Sequence, residues 1–148
     1  ARAYAGLLEP LHYERLAAVP YAALTIGTAV ALATESSLIY PRKEVKAYGT
    51  GEAVAGYFAP GDRAVVIEDL VTSGGSVIKA IETLEAAGLV VQDVAVLIDR
   101  QQGGPEALAA AGYRLHAVLT MTQILDTLQE AGRISFDQAN AVRSYLKS

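Results

Sequence analysis

The sequence predicts an α/β fold in which a mostly parallel central sheet is flanked by helices, and two observations predict it. Short apolar segments alternate with helical patterns along the 148 residues, and this alternation is typical of parallel strands joined by crossover helices. Hydrophobic residues make up 52% of the chain and charged residues 19%, as expected when strands are buried on both faces. A chain of this length, without internal repeats or a linker, is expected to form one domain.

The elements follow in chain order. The first is a helix that we expect to end near residue 13, because Leu7, Leu8 and Leu11 recur at helical spacing. Apolar runs bounded by turn residues predict strands over residues 15–19, 37–40, 63–67, 90–98 and 113–119. Helical patterns predict helices over residues 25–34, over residues 75–87, and from the Gly103-Gly104-Pro105 start signal onwards.

Three further features complete this description of the chain. Capping boxes at Thr120 with Gln123 and at Ser135 with Gln138 predict the starts of two final helices. Residues 42–60 are predicted to form a polar, glycine-bearing connection, and because it is long for a compact domain we expect a functional lid there. Asp93 is expected to lie in a turn before a strand.

Composition excludes several classes of function. The formal net charge is −4, so nonspecific binding to nucleic acid is not expected. The chain has no cysteine, which excludes disulfides, thiolate metal sites and a cysteine nucleophile, and which fits a cytoplasmic location. No uncharged apolar run reaches the roughly 20 residues that span a bilayer, so we expect no membrane partner.

The strongest functional signal is residues 64–76, AVVIEDLVTSGGS. Glu68 and Asp69 come where we expect the buried strand to end, and a loop of small residues then leads into a helix. Loop N–H groups and the helix dipole attract a phosphate, whereas a carboxylate accepts hydrogen bonds from sugar hydroxyls. The segment therefore predicts a site for a ribose 5-phosphate group. The alternative is an ordinary strand-to-helix turn with exposed carboxylates.

Two further segments predict the rest of the site. Arg42, Lys43 and Lys46 fall within five residues, and such a cationic loop suits a diphosphate leaving group whose developing charge must be neutralised. The alternative is a solvated surface loop. Arg100 follows a strand that ends in Asp99, so we expect it to reach the same crevice and to bind a carboxylate. The alternative there is an Asp99–Arg100 surface ion pair of little energetic worth.

In this order, residues 19–24, 42–46, 68–76 and 99–101 resemble the orotate phosphoribosyltransferases. The resemblance runs from about residue 14 to the C-terminus. Residues 64–76 alone resemble the wider type I phosphoribosyltransferase family and its fold, and residues 41–50 look most like the orotate domain of bifunctional uridine monophosphate synthases.

The resemblance implies an activity and its partners. Orotate and 5-phosphoribosyl diphosphate would give orotidine 5′-monophosphate and diphosphate, a step of pyrimidine biosynthesis. Mg²⁺ would be held mainly through diphosphate and ribose, near Glu68 and Asp69, with no direct protein ligand assigned. The enzyme would be a homodimer with shared active sites, in which a flexible catalytic loop reaches the neighbouring subunit.

The resemblance also implies residue roles. Arg42, Lys46 and Asp69 would be catalytic, and Thr72 and Arg100 would bind orotate. A larger set would bind 5-phosphoribosyl diphosphate, namely Tyr21, Arg42, Lys43, Lys46, Tyr48, Glu68, Asp69, Leu70, Val71, Thr72, Ser73, Gly74, Gly75 and Ser76.

The chain also departs from the family pattern. Tyr48 stands where many members have histidine, Ala22 where others have lysine, and Thr25 where proline is usual. We expect the N-terminal part of the family fold to be missing. Two alternatives stay open at this point: a non-catalytic regulator of the same fold that senses phosphoribosyl diphosphate, and a phosphoribosyltransferase for another base.

Overall fold

The computed structural model describes residues 1–43 and 52–146, which form six helices and six strands. In chain order the elements are α1 (Arg2–Leu8), β1 (Arg15–Ala18), α2 (Ala22–Thr34), β2 (Ser37–Pro41), β3 (Val54–Ala55), β4 (Arg63–Val71), α3 (Gly75–Ala86), β5 (Val90–Asp99), α4 (Gly104–Ala110), β6 (Arg114–Thr120), α5 (Met121–Glu130) and α6 (Phe136–Leu146). Within these residues, no helix is long and apolar enough to cross a membrane.

The six strands form one sheet in the order β3-β2-β1-β4-β5-β6. Each neighbouring pair is parallel except β2 with β3, which is antiparallel. The predicted α/β class with a mostly parallel sheet is therefore confirmed. Both predicted capping boxes are also present, because each serine or threonine hydroxyl accepts from the glutamine N–H while the glutamine side chain accepts from the cap N–H.

An apolar core covers each face of the sheet. On one face α3 and α4 contribute the buried side chains of Ile81 and Leu108, and on the other α1 and α2 contribute Tyr4 and Val30. Alternate residues of β4 belong to the two cores, with Val66 in the first and Val65 and Ile67 in the second. Burial on both faces explains why residues 64–67 read as a continuous apolar run, since successive side chains of a strand point to opposite faces.

A crevice opens at the carboxyl ends of β1 and β4, where the chain reverses its direction across the sheet. From β1 the chain passes through α2 to β2 on one side, whereas β4 on the other side leads to β5 and β6. β1 ends at Ala18 opposite Ile67, while β4 continues to Val71 along β5. Open α/β sheets bind ligands at such switch points, so the strand order alone marks this edge as the candidate site.

The structure corrects the predicted end of β4. Glu68 and Asp69 lie inside the strand rather than after it, because β4 keeps pairing with β5 as far as Val71 opposite Asp99. The prediction ended the strand at Ile67 because polar residues follow it. Hydrogen bonding between strand backbones, however, does not depend on side-chain polarity. The carboxylates are therefore carried on paired strand backbone, which fixes them more firmly than a loop.

Other boundaries also differ from the prediction, among them the start of α2, which lies at Ala22 rather than at residue 25. α1 ends at Leu8 rather than near residue 13, because Pro10 has no N–H to continue the helical hydrogen bonds. The two-residue strand β3 was not predicted, and it pairs with the end of β2. Gly56 follows it at φ +108°, where a Cβ atom would lie 2.8 Å from Ile39 Cγ2, so this return path needs glycine.

Asp93 is not a turn residue, because it lies within β5 and is buried. Its carboxylate accepts two hydrogen bonds of 2.8 Å from Arg114 and lies 2.7 Å from His116 Nε2, both on β6. The Arg114 guanidinium, followed by His116, holds the pKa of the Asp93 carboxyl below its usual range. This cluster lies in the first half of β5, away from the carboxyl-end crevice, and joins the last two strands of the sheet.

Candidate active site

A cavity of about 520 Å³ occupies the carboxyl-end crevice. Its walls come from the segment after β1, the segment after β2, the end of β4 and one face of α3. The lining residues are Val19, Pro20, Tyr21, Ala22, Pro41, Arg42, Lys43, Glu68, Asp69, Ser76, Lys79, Ala80 and Thr83. Four chain segments that are distant in sequence therefore converge on one space.

Two adjacent carboxylates form the floor of this cavity. Glu68 is 7% exposed, and its Oε1 accepts a 3.0 Å hydrogen bond from the Asp69 N–H. Asp69 Oδ1 accepts one of 2.9 Å from the Leu70 N–H. Burial, followed by the Asp69 side chain, raises the pKa of the Glu68 carboxyl to about 8, while the hydrogen bond from the Asp69 N–H and the charge of Lys43 oppose the shift. Glu68 therefore favours its protonated form near pH 7, in which it can donate as well as accept hydrogen bonds.

Tyr4 supports this floor from the core. Its hydroxyl donates a 2.6 Å hydrogen bond to the Glu68 carbonyl oxygen, and its side chain is 2% exposed. Burial, followed by the Asp69 and Glu68 carboxylates, raises the pKa of the Tyr4 hydroxyl. Sequence reasoning missed Tyr4, because the two residues are 64 positions apart and no local pattern links them.

The loop between β4 and α3 leads into an uncapped helix start. Gly74 is the N-cap residue at φ +81°, and no side chain caps α3. The first N–H groups of a helix lack partners within the helix, so this end of α3 offers donors and a positive dipole to an anion. Residue 104 has to be glycine here, because a Cβ atom would lie 2.6 Å from the Thr72 carbonyl oxygen. Close packing of α4 therefore holds the loop in place.

Two cations, Arg42 and Lys43, also line the cavity. Lys43 Nζ lies 4.4 Å from the centroid of the Tyr21 ring, a cation–π distance. The Arg42 N–H donates a 2.8 Å hydrogen bond to the Ala53 carbonyl, so the start of this segment is tied to the strand β3 region. The Pro20–Tyr21 peptide bond is cis. Cations and carboxylates therefore line the same cavity, and the charge of Lys43 acts on Glu68.

The predicted site residues separate into three groups. Those that line the cavity are Tyr21, Arg42, Lys43, Glu68, Asp69 and Ser76. Those that do not line it are Leu70, Val71, Thr72, Ser73, Gly74 and Gly75, which connect Asp69 to Ser76 along the chain, and Arg100, which follows β5. Lys46 and Tyr48, together with the flexibility predicted for their loop, lie outside the described residues.

Arg100 and Thr72 are neighbours at the ends of β5 and β4. The Arg100 N–H donates a 3.0 Å hydrogen bond to the carbonyl of Val71, the residue before Thr72. Asp99 is buried and accepts a 2.7 Å hydrogen bond from the Gln101 N–H. Among the described residues the ion pairs do not include one between Asp99 and Arg100, so the surface-pair alternative is not supported.

Lys79 and Thr83 line the cavity although the sequence reading passed over them. A periodic signal was available, because Ser76, Lys79, Ala80 and Thr83 follow the three- and four-residue spacing of one helix face. That face begins at the candidate phosphate loop. Continuing the helical pattern from Ser76 would therefore have found both residues.

The described residues do not form a closed metal site. Among them, no group of three or more histidine, cysteine or acidic side chains could hold a metal ion. Glu68 and Asp69 are nevertheless two adjacent carboxylates on the cavity floor. Mg²⁺ is commonly bound by one or two carboxylates together with substrate phosphates, so these residues fit a magnesium ion that arrives with a diphosphate.

Curated relatives and solved structures resemble the chain, although no family model matches it. The bifunctional enzyme PyrF/PyrE of Nostoc is 44% identical over 135 residues, which are 91% of this chain and 28% of that protein. The solved UMP synthase of Leishmania donovani is 38% identical with a TM-score of 0.91, and the match covers 99% of this chain and 32% of that one. The chain thus spans about a third or less of the length of these two relatives.

Smaller proteins match over most of their length. Orotate phosphoribosyltransferase from Aeropyrum pernix is 32% identical with a TM-score of 0.72, and the match covers 86% of this chain and 74% of that one. The Mycobacterium tuberculosis enzyme in complex with 5-phospho-α-D-ribosyl 1-diphosphate is 25% identical with a TM-score of 0.70, covering 83% and 72%. The type I phosphoribosyltransferase fold that the motifs predict is confirmed, and this chain belongs to the orotate phosphoribosyltransferase family.

Proposed function

We propose that this chain transfers the phosphoribosyl group of 5-phosphoribosyl diphosphate to orotate, which yields orotidine 5′-monophosphate and diphosphate in pyrimidine biosynthesis. One observation carries the proposal. Two cations that follow β2 and two carboxyl groups of β4 line one cavity of about 520 Å³, together with Ser76 at the uncapped start of α3. A ligand with a diphosphate at one end, a diol in the middle and a phosphate at the other matches this order of charges.

Each part of the sugar phosphate has a complementary partner. The 5-phosphate would bind the N–H groups of residues 72–76, where the helix dipole adds attraction. The ribose hydroxyls would bind Glu68 and Asp69, and the diphosphate would bind Arg42 and Lys43 with Lys46 from the same segment. The M. tuberculosis relative, which was solved with 5-phosphoribosyl diphosphate, supports this choice of ligand.

Orotate would bind beside the sugar, at the ends of β4 and β5. Arg100 presents five N–H donors in a planar fork that matches a carboxylate, and Thr72 offers a hydroxyl and backbone groups nearby. The hydrogen bond from the Arg100 N–H to the Val71 carbonyl keeps the two residues adjacent. An acceptor base without a carboxylate would leave the Arg100 guanidinium without an anion.

The chemistry requires charge stabilisation rather than a side-chain nucleophile. As diphosphate leaves, positive charge develops on the ribose, and the Asp69 carboxylate beside it favours that charge, while the protonated Glu68 carboxyl would hydrogen-bond a ribose hydroxyl. Negative charge grows on the leaving group, where Arg42, Lys43 and Lys46 neutralise it. Mg²⁺, held near Glu68 and Asp69 by the substrate's own oxygens, would supply further neutralisation of the diphosphate when bound.

The enzyme is proposed to act as a cytoplasmic homodimer with shared active sites. The cytoplasmic location is supported by composition, since a chain without cysteine has no disulfide to lose in a reducing compartment. In the proposed dimer, Lys46 of one subunit reaches the site that Asp69 of the other subunit forms.

The test is product formation. Purified protein is incubated with Mg²⁺, 5-phosphoribosyl diphosphate and orotate, and orotidine 5′-monophosphate is measured by chromatography. Uracil and adenine in place of orotate should give little product. If no base yields a nucleotide although 5-phosphoribosyl diphosphate binds by calorimetry, the protein is a non-catalytic sensor, and the proposed activity is wrong.

Arg100→Ala tests the choice of acceptor. We expect the KM for orotate to rise at least tenfold, because a charge-assisted contact is worth about 1.5–3 kcal/mol, while the KM for 5-phosphoribosyl diphosphate changes little. Equal increases in both would mean that Arg100 supports the structure of the strand ends instead of binding orotate.

A further inference from the structure

Lys79 lies on the face of α3 that lines the candidate active site. It is the fifth residue of the helix, one turn beyond Ser76, and it is exposed to solvent. Ser76, Lys79 and Thr83 all line the cavity of about 520 Å³. The ammonium group is therefore carried by a rigid element that starts at the phosphate loop.

A second space continues from the first on the same side of the sheet. It has a volume of about 700 Å³ and is bordered by Arg42, Lys43, Ala53, Lys79, Glu82, Thr83, Ala86 and Ala87. Arg42, Lys43 and Lys79 border both spaces. Three cations thus surround one passage in a chain whose net charge is −4.

Nothing within the described residues neutralises Lys79. The ion pairs found there involve Arg15, Arg114, His116 and Arg143, and none involves Lys79. Glu82, on the next turn of α3, is not within ion-pair distance of it in the described structure. Three like charges that border one space repel each other, and a bound polyanion relieves that repulsion.

We propose that Lys79 is a further binding residue for the diphosphate group of 5-phosphoribosyl diphosphate, which it holds together with Arg42 and Lys43. This inference rests on the proposed function. Lys79 is about 6 Å along the helix axis from Gly75, at 1.5 Å per residue, and it borders the space that Arg42 and Lys43 also border, so we place it with these cations and not with the N–H groups that would hold the 5-phosphate. Arg42 and Lys43, which border the same passage, are the residues proposed above to bind the diphosphate leaving group.

Calorimetry with three ligands tests the assignment. Wild type, Lys79→Gln and Lys79→Arg are titrated with diphosphate, with 5-phosphoribosyl diphosphate and with orotidine 5′-monophosphate, the last of which carries a 5-phosphate and no diphosphate. Arg133→Gln is the matched control, because Arg133 is an exposed cation in the turn between α5 and α6 that lines neither space.

Lys79→Gln should weaken both diphosphate ligands about tenfold, the scale of one charge-assisted hydrogen bond. The affinity for orotidine 5′-monophosphate should stay within about twofold, Lys79→Arg should keep most of the diphosphate affinity, and Arg133→Gln should match wild type. Unchanged diphosphate affinity in Lys79→Gln would make Lys79 an ordinary solvated lysine. Equal weakening of all three ligands would place it at the 5-phosphate instead. Wild type that binds none of them would refute the proposed function itself.

Discussion

At the scale of single residues, the chemistry concentrates on the Glu68–Asp69 pair. Both side chains lie on paired strand backbone, and the Tyr4 hydroxyl holds the Glu68 carbonyl oxygen from the core. Glu68 is buried while its neighbour faces the cavity, so two identical functional groups meet different environments. Burial is the largest cause of the raised pKa of the Glu68 carboxyl.

Glu68 should make the stability of the ligand-free protein depend on pH. Its folded pKa of about 8 lies above the ordinary value of 4.5, so the folded state holds a proton that the unfolded state has released between these pH values. The contribution of Glu68 to the free energy of unfolding is therefore full below about pH 4.5 and falls as pH rises towards 8.

Denaturant unfolding of wild type and Glu68→Gln at a series of pH values checks this. The glutamine variant, which cannot ionise, should gain stability relative to wild type as pH rises through that window. Glu130→Gln, a substitution at an exposed site on α5, should run parallel to wild type. A constant difference between Glu68→Gln and wild type from pH 5 to 8 would contradict the raised pKa.

At the scale of elements, the site depends on how closely the helices approach the strand ends. α4 begins against the loop that follows β4, and a Cβ atom on Gly104 would lie 2.6 Å from the Thr72 carbonyl oxygen and 2.7 Å from Val71 Cγ2. The loop and the start of α4 are therefore in close contact, and a shift in either displaces the other.

Gly104→Ala should destabilise the fold by about 1–3 kcal/mol, the usual cost of overpacking, and should weaken orotidine 5′-monophosphate binding because the phosphate loop has to move. Gly6→Ala is the matched control, since Gly6 is a helical glycine with nothing within 4 Å of its would-be Cβ. It should instead stabilise the protein by about 0.5–1 kcal/mol through helix propensity. Thermal and denaturant unfolding measure both, and an equal stabilisation by the two substitutions would show that α4 does not press on the loop.

At the scale of the whole molecule, the proposed homodimer predicts that each active site takes residues from both subunits. In the proposed dimer, Lys46 acts across the subunit boundary and Asp69 acts within its own subunit. Homodimers of Lys46→Ala or of Asp69→Asn should each be nearly inactive, and the loss for Asp69→Asn should be about 2–4 kcal/mol in kcat/KM.

Mixing the two inactive proteins should restore activity. A heterodimer places both defects in one site and neither in the other, as two-fold symmetry requires. With random pairing, half of the dimers are mixed and each has one intact site of two, so roughly a quarter of wild-type activity should return. If native mass spectrometry confirms subunit exchange and activity stays absent, the sites are not shared.

The sequence by itself determined the fold class and predicted the chemistry of the candidate site. The alternation of apolar runs and helical patterns predicted the parallel sheet, and the capping boxes located the last two helices. Residues 64–76 predicted a site for a sugar phosphate, because short-range order places carboxylates, small-residue loop and helix start in one unit. The cations of residues 42–46 predicted a site for a diphosphate group. Two of these cations, Arg42 and Lys43, line the cavity. These signals are local, because the residues of each pattern lie close together in the sequence, and such patterns can be recognised without the tertiary structure.

Only the tertiary structure decided which residues meet. It extended β4 past Ile67 because β5 runs beside it, it moved Asp93 from a turn into a cluster with β6, and it brought Tyr4 to a carbonyl 64 residues away. It also brought Lys79 to the cavity that Arg42 and Lys43 line. Such contacts depend on strand order and on how helices cross the sheet, and these are set by packing between distant segments, which no single stretch of sequence encodes.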